Sequence, residues 1–440
     1  MISNWRKRRA GRRASKNQER PEGNLDMEVT IPTHFRCPIS LELMKDPVTL
    51  STGITYDRES IETWIESGNQ TCPVTNQVLR SLDQIPNHAI RKMIQDWCVE
   101  NRSFGVERIP TPRIPVTPFE VSQILSRITD AARRGDQSGC QELVVKIKNL
   151  GKESERNKRC IVGNGTGRVL AATFEAFAAA SFEKNTDVLE EILSALTWML
   201  PLDLEAQSYL GLPAPLRCMV WFSKSGGLSG RQNAVLVLKE LSSDQRHVSL
   251  LARTEGASEA LVKLIKEPIC PTATKASLVV IYRMVSSSVS SDKIRSRFVD
   301  MDLISLLLDI LVDSDKSLCE KALGVLDGLC SCQEAREKAY AHALTMPVLV
   351  KKILRISDLA TEFTVSILWK LCKNKKIDEG SILVEALQVG AFQKLLLLLQ
   401  VGCGERTKEK ATELLKLLNL YRGKLECIDS MDFKELRRPF

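Results

Sequence analysis

The sequence predicts a mostly α-helical protein in which a small α+β module precedes a long α-solenoid. Strand, turn and helix patterns alternate over residues 31–104, whereas residues 119–420 carry helical apolar patterns throughout. Four prolines fall within residues 105–118, where they remove backbone donors and fix φ, and this predicts an extended, proline-rich linker. We therefore expect two folded units within the 440 residues, flanked by tails at 1–30 and 421–440.

Residues 1–30 form a basic tail that is predicted to be disordered, because it is highly charged and lacks apolar periodicity. The first 20 residues hold eight basic groups and one acidic group, Glu19, and so account for nearly all of the formal net charge of +8. The folded body therefore lacks the charge excess that drives phosphate-backbone binding, and we expect it to bind no nucleic acid. Three roles stay open for the arginine-rich residues 6–13: a nuclear import signal, attraction to acidic lipids or RNA, and a solvated tail.

Thirteen cysteines are scattered without a repeating spacing, and no apolar signal segment opens the chain. This pattern favours reduced thiols and a cytoplasmic location, with a nuclear location also open. The most apolar runs, residues 303–312 and 395–399, are too short to cross a bilayer, so we expect no transmembrane segment.

The helical part of the chain is predicted to be a repeat array. Short breaks precede a new apolar helix at six positions: Gly165, Gly211, Gly256, Met301, Met346 and Gly390. The breaks are 46, 45, 45, 45 and 44 residues apart. A helical period near 45 is typical of armadillo and HEAT arrays, in which each unit buries its apolar face only by stacking on its neighbours. Such stacking forms a long concave groove, where we expect a protein substrate to bind.

The module at residues 31–104 carries signals for a hairpin and two helices. Gly53 lies between two short strand patterns, which predicts a tight turn. Asp57 follows as the predicted N-cap of a helix over residues 58–67, with its carboxylate accepting the first amides of that helix. A face of this helix carries Trp64, and a last helix is predicted to be capped by Asn87.

The motifs of this module resemble those of the U-box, a ubiquitin-ligase module with a RING-like fold that binds no metal. The matching segments are residues 37–40 (CPIS), 46–48 (DPV), 53–58 (GITYDR), 72–75 (CPVT) and 86–87 (PN), together with Trp64. With the repeats that follow, the chain resembles the plant U-box/armadillo ubiquitin ligases, and its N-terminal part is similar to their CMPG-like branch. Members of this family often act in stress and defence signalling.

The number of ligands argues independently against a zinc-binding RING. Two structural zinc ions need roughly eight Cys or His ligands. Residues 31–104 supply five: His34, Cys37, Cys72, His88 and Cys98. We therefore expect no metal and no cofactor. The resemblance implies that hydrogen bonds and ion pairs replace the metal sites, and the expected scaffold residues are Glu42, Asp57, Arg58 and Asn87.

The resemblance implies a ligase that acts as a scaffold and contributes no catalytic residue of its own. Its U-box would hold a ubiquitin-conjugating enzyme carrying ubiquitin close to a substrate lysine, so that transfer becomes effectively intramolecular. The predicted docking residues are Ile39, Leu41, Trp64 and Pro73, although Trp64 has the alternative role of packing the module's own core. Asn76 occupies a position where many relatives carry Arg or Lys, and an Asn hydrogen bond there lacks charge assistance.

Three alternatives remain open at this stage. The chain would be a non-catalytic armadillo interaction scaffold if its U-box were silent or served dimerisation, and a homodimer is left open as an assembly. It would be a zinc RING-type ligase if the module bound metal. It would be a nucleic-acid or membrane-surface protein if the basic tail carried its function.

Overall fold

A computed structural model describes residues 30–110, 115–287, 292–373 and 379–432 of the chain. Almost all of the predicted basic tail and residues 433–440 lie outside the described residues. The chain divides into two compact units, Met1–Ile114 and Pro115–Phe440. The first unit contains the predicted α+β module and the second contains the predicted repeats.

The module consists of a small antiparallel sheet and two helices. Its elements are β1 (Pro47–Thr49), β2 (Thr55–Asp57), α1 (Arg58–Glu66), β3 (Ile85–Pro86) and α2 (His88–Glu100), with short 3-10 turns at Thr33–Phe35 and Arg102–Phe104. The strand order is β2-β1-β3, and Val48 on β1 pairs with Tyr56 on β2 and with Pro86 on β3. Gly53 closes the β1–β2 hairpin at φ +79°, a conformation that glycine adopts without steric cost.

The module's core includes part of the segment predicted to be a linker. Ile109 is buried in this core, and Val106 packs against it. The guanidinium of Arg91 on α2 also donates to the carbonyl of Pro110 at 2.7 Å. Residues 105–110 therefore pack on the module. Their apolar side chains reach the module's core, whereas an extended linker would leave those side chains exposed to water.

The second unit is helical throughout its described residues. Its helices are α3 (Pro118–Arg134), α4 (Gln137–Glu153), α5 (Glu155–Gly163), α6 (Thr166–Ser181), α7 (Thr186–Trp198), α8 (Leu204–Leu210), α9 (Pro213–Ser225), α10 (Leu228–Leu241), α11 (Gln245–Arg253), α12 (Ala257–Lys266), α13 (Pro271–Ser286), α14 (Asp292–Asp300), α15 (Leu303–Asp313), α16 (Lys316–Leu329), α17 (Gln333–Ala341), α18 (Thr345–Lys352), α19 (Asp358–Cys372), α20 (Glu379–Gln388), α21 (Ala391–Val401) and α22 (Glu405–Asp432). Helices α4, α7, α10, α13, α16, α19 and α22 stack each on the next, and one continuous core runs along the unit.

The predicted helix breaks are confirmed. A new helix starts within two residues of each predicted break, at Thr166, Pro213, Ala257, Leu303, Thr345 and Ala391. Gly165, Gly256 and Gly390 take the left-handed conformation at three of these breaks, and Asp302 does so at a fourth. A left-handed residue turns the chain sharply between two helices, and glycine does this at least cost.

Basic side chains join successive repeats of the stack. Arg283 on α13 donates to the carbonyl of Lys239 at the end of α10, at 3.0 Å. Two repeats further along, Lys370 on α19 donates to the carbonyl of Asp327 near the end of α16, at 2.6 Å, and pairs with its carboxylate at 2.7 Å. The last carbonyls of a helix have no partner within it, so these two side chains satisfy acceptors of the preceding repeat.

No single helix among the described residues is long and apolar enough to cross a membrane. One helix pair, Ile382–Gln388 with Ala391–Val401, reaches that length and composition only when taken together, and it is bent by 70°.

Candidate functional site

Two loops of the module share one backbone geometry. We call residues 36–43 loop 1 and residues 71–78 loop 2. In each loop the N–H of a buried cysteine donates to a carbonyl five residues later, from Cys37 to Glu42 and from Cys72 to Gln77, at 2.8 Å in both. The residue before that carbonyl, Leu41 or Asn76, donates back to the cysteine carbonyl at 2.8 Å. Both Leu41 and Asn76 adopt positive φ, at 61° and 55°, to close the turn.

The cysteine thiols attach both loops to strand β2. The backbone N–H of Asp57 donates to Sγ of Cys37 at 3.3 Å. The hydroxyl of Tyr56 lies 3.0 Å from Sγ of Cys72, and the hydroxyl of Thr52 donates to the same sulfur at 3.4 Å. Because Tyr56 and Asp57 are neighbours, the two loops are anchored at adjacent points of one strand.

The pKa shifts of Tyr56 and Cys72 favour the hydrogen bond from the phenol to the sulfur. Burial raises the pKa of the Tyr56 hydroxyl, so it keeps its proton and remains a donor at physiological pH. Burial also raises the pKa of the Cys72 thiol, but the hydroxyls of Thr52, Thr75 and Tyr56 outweigh it, so the pKa lies below its ordinary value. Within the described ranges, no group of three or more His, Cys, Asp or Glu residues is placed to hold a metal ion.

Asp57 lies at the N-cap of α1 as predicted, but its carboxylate does not accept the amides of that helix. Oδ1 instead accepts the backbone N–H groups of Lys45 and Asp46, both at 2.8 Å. The predicted capping bond is therefore wrong. The carboxylate is drawn away because the segment between loop 1 and β1 presents two N–H groups that have no strand partner. Burial raises the pKa of Asp57 despite these donors.

Arg58 and Asn87 connect the elements of the module. Arg58 forms an ion pair with Asp46 at 2.6 Å. Asn87 caps α2 by accepting the N–H of Ile90 at 3.1 Å, which confirms the predicted cap, and its amide donates to the hydroxyls of Thr49 and Thr55 at 3.2 Å each. These bonds link the sheet to α2.

Glu42 contributes to loop 1 through its backbone. Its carbonyl accepts the N–H of Cys37, whereas its exposed carboxylate makes no hydrogen bond or ion pair within the part of the chain that the structure describes. The side chain of Glu42 thus lies in solvent, where its charge is well hydrated.

Apolar side chains are exposed on both loops. Ile39 and Leu41 on loop 1 are 36% and 69% exposed, and Val74 on loop 2 is 53% exposed. Pro73 is half-buried and Asn76 is exposed. Val74 and Val78, which is also exposed, were not predicted as site residues, although Val74 lies within the Cys-Pro-Val motif that identified loop 2.

Trp64 joins α1 to loop 2. Its indole packs against the module's core while remaining partly accessible, and its Nε1 donates to the carbonyl of Thr71 at 2.8 Å. The side chain therefore has a structural role, and its predicted contact with a conjugating enzyme stays a prediction.

Two family models match the two units of the chain. The U-box domain model matches residues 31–103, and the model of the plant U-box protein ARM repeat region matches residues 120–438. A designed armadillo repeat protein of known structure superposes on 56% of this chain with 16% identity and a TM-score of 0.46.

Curated relatives from Arabidopsis thaliana resemble the chain over nearly its whole length. U-box domain-containing protein 21 is 49% identical, with 99% of each chain covered. The E3 ubiquitin-protein ligase PUB23 is 34% identical, with 90% of this chain and 94% of the relative covered. The chain therefore belongs to the plant U-box proteins with an ARM repeat region, and it is a ubiquitin ligase of that family.

Proposed function

We propose that loops 1 and 2, together with Trp64, dock a ubiquitin-charged conjugating enzyme while the repeats hold a protein substrate. The observation that supports this proposal is the exposure of Ile39, Leu41 and Val74 on two loops whose backbones are fixed by buried thiols. Burial of a few such apolar anchors can dominate the binding energy of a small interface. The rigid anchors also reduce the entropy lost when the loops bind.

The chemistry requires positioning only. The thioester and its reactive cysteine belong to the conjugating enzyme, and attack comes from a lysine amine of the substrate. The ligase raises the effective concentration of that amine near the thioester, and no side chain of the U-box acts as a nucleophile or a base in the transfer. Asn76 would contact the docked complex through an uncharged amide, which predicts a weaker clamp than an Arg or Lys gives.

The repeats are the proposed substrate-holding unit. Trp369 on α19 offers a partly accessible ring with Lys373 at 4.5 Å and Lys410 at 5.8 Å from its centroid, and its Nε1 donates to Glu413. A surface that combines an aromatic ring with both charge signs is suited to a protein segment. Activity in the cytoplasm and nucleus, in stress and defence signalling, is part of the proposal. Twelve cysteines have side chains that the structure describes, and all twelve are free thiols, which is consistent with a reducing compartment.

The test is ubiquitin discharge in a single turnover. A purified conjugating enzyme is charged with ubiquitin, further charging is stopped by chelating Mg²⁺ with EDTA, and the full chain is added. We expect discharge to lysine and self-ubiquitination despite the chelator, and we expect Ile39→Ala to slow both by at least about tenfold. Ile85→Ala is the matched control, because Ile85 is exposed on β3 outside both loops. If wild-type protein stays inactive with a broad panel of conjugating enzymes, or Ile39→Ala matches the wild type, the proposal is wrong.

A further inference from the structure

A pocket of about 240 Å³ lies in the repeat unit, away from the U-box loops. It is formed by the C-terminal end of α15, the N-terminal end of α16 and the C-terminal end of α18 with the loop that follows. Its apolar lining includes Val312, Val348 and Ile356. The volume suits one aliphatic side chain, since pockets for drug-sized ligands are roughly 300–1,000 Å³.

Four cations surround this apolar lining. Lys316, Lys351, Lys352 and Arg355 line the pocket, and no acidic residue is among its lining residues. Lys351 and Lys352 lie in the last turn of α18. The negative end of that helix dipole is equivalent to about half an elementary charge, so it offsets only a small part of their positive charge. A strong positive excess therefore remains beside an apolar surface.

These cations lack the partners that other basic residues of the repeats have. Lys275 pairs with Asp315 at 3.2 Å, and Lys370 pairs with Asp327 at 2.7 Å. In contrast, within the described residues none of the four pocket cations forms an ion pair, and Lys352 meets only the thiol of Cys319, at 3.5 Å.

The nearby carboxylates do not neutralise the pocket. Asp315 is held by Lys275 and caps α16, and Glu320 accepts a hydrogen bond from Ser357. Asp313 and Asp358 are exposed and are not lining residues. Because like charges repel, an anionic partner that bound there would relieve the repulsion among the four cations.

We propose that this pocket binds an acidic protein segment in which one aliphatic side chain is flanked by carboxylates. The aliphatic side chain would cover Val312, Val348 and Ile356, and the carboxylates on either side would pair with the four cations. The cations are spread over two helices and a loop, so they fit several carboxylates along a chain better than a single small anion. Nucleic acid would satisfy the charge but leave the apolar lining uncovered.

This pocket adds to the proposed function by naming the chemistry of the segment that binds. It rests on that function in one respect only, namely that the segment belongs to a substrate. The probe is a fluorescein-labelled nonapeptide with blocked ends and a central Leu flanked by Asp and Glu. Two sibling peptides carry Ser in place of Leu, or Asn and Gln in place of the acids. Binding to the full chain is measured by fluorescence anisotropy at physiological salt.

We expect the acidic Leu peptide to bind, and each sibling to bind at least about tenfold more weakly. The double variant Lys351→Glu/Arg355→Glu should lose at least about tenfold in affinity for the Leu peptide. Val312→Asp should weaken it similarly, and Val312 is exposed enough for the fold to tolerate the change. The matched control is Arg127→Glu/Arg217→Glu, which reverses two exposed charges on α3 and α9 and should change the affinity by less than about twofold.

Equal binding of the Ser peptide would overturn the proposal, because attraction would then depend on charge alone. Absence of binding by the Leu peptide at about 1 mM, or an unchanged affinity in the Lys351→Glu/Arg355→Glu variant, would also overturn it. Self-ubiquitination is assayed in parallel. It should survive Lys351→Glu/Arg355→Glu, and a wild-type chain that binds the peptide yet never discharges ubiquitin would disprove the ligase mechanism and leave the pocket standing.

Discussion

The hydroxyl of Tyr56 lies 3.0 Å from Sγ of Cys72, although the two residues come from strand β2 and loop 2. The same hydroxyl accepts the backbone N–H of Val74 at 3.3 Å. Tyr56 thus connects the hairpin to the base and to the exposed part of loop 2, and it does so from a fully buried position. Among the anchors of loop 2, which also include Thr52 and Trp64, Tyr56 is the one that reaches both Cys72 and Val74.

Tyr56→Phe should loosen loop 2 while leaving the module folded. The change keeps the ring but leaves the Val74 N–H without its acceptor, which costs about 1–3 kcal/mol. Hydrogen exchange of the full chain should show faster exchange in peptides covering residues 71–78, together with slower ubiquitin discharge. Tyr209→Phe, at an exposed tyrosine of α8, is the control and should change neither quantity. Unaltered exchange in loop 2 would show that the phenol is dispensable.

Two substitutions of Asp57 distinguish the effect of its charge from the effect of its hydrogen bonds. Asp57→Ala removes the acceptor of the Lys45 and Asp46 N–H groups, and we expect local destabilisation of about 1–3 kcal/mol. Asp57→Asn retains Oδ1 as an acceptor and should cost less than about 1 kcal/mol. Hydrogen exchange in peptides covering residues 43–50 measures both effects. Equal losses in the two variants would contradict this assignment.

The raised pKa of Asp57 also gives this comparison a pH dependence. A carboxyl whose pKa is raised by burial binds its proton more readily in the folded state, so its contribution to stability falls as pH rises. The fall begins near the ordinary carboxyl pKa of about 3.9 and is complete above the raised folded value. Asp57→Asn cannot titrate. Its stability relative to the wild type should therefore improve as pH rises from about 4 to 7, when exchange is corrected for the intrinsic rate.

Leu41 combines an unfavourable backbone with an exposed apolar side chain. A leucine at φ 61° costs about 1 kcal/mol relative to glycine, and its 69% exposed side chain recovers little of this by burial. Strain of this kind is retained where it serves function. Leu41→Gly should therefore keep or increase the hydrogen-exchange protection of loop 1 and yet slow ubiquitin discharge several-fold.

Asn76→Gly is the matched change on loop 2, because Asn76 has the same conformation at φ 55°. Asparagine tolerates this region better than leucine, so the gain in protection should be smaller than for Leu41→Gly. If the Leu41→Gly variant discharged ubiquitin at the wild-type rate, Leu41 would not belong to the docking surface.

The features that were predictable are those written in local sequence. The period of the repeats follows from apolar helices and from breaks such as Gly165, Gly256 and Gly390, where a left-handed residue is needed at each turn. Asn87 was predictable as a cap because capping acts within one helical turn. The acceptors chosen by Asp57 and the bond between Tyr56 and Cys72 were not, since they depend on how a loop, a strand and a turn come together in space. The pocket near Lys351 was not predictable either, because it forms only where two repeats meet.

Gly151 tests the packing between repeats at a position where no side chain fits. It is buried on α4, and a β-carbon built there would overlap Cη2 of Trp198 on α7. The indole is also held from another direction, since Nζ of Lys158 lies 5.4 Å from its ring centroid. The Trp198 ring therefore cannot move away from Gly151 without losing its contact with Lys158.

Gly151→Ala should accordingly destabilise the first repeats by about 1–3 kcal/mol, even though alanine favours a helix. Gly163→Ala is the matched control on α5, because nothing lies within 4 Å of a β-carbon there, and it should be neutral or stabilising by up to about 1 kcal/mol. Hydrogen exchange in α4 and α7 measures both changes. Trp198→Leu in the Gly151→Ala background should recover part of the loss, because the smaller side chain removes the overlap, and this coupling identifies the ring as the cause. If Gly151→Ala were as neutral as Gly163→Ala, the close approach of α4 to Trp198 would be refuted.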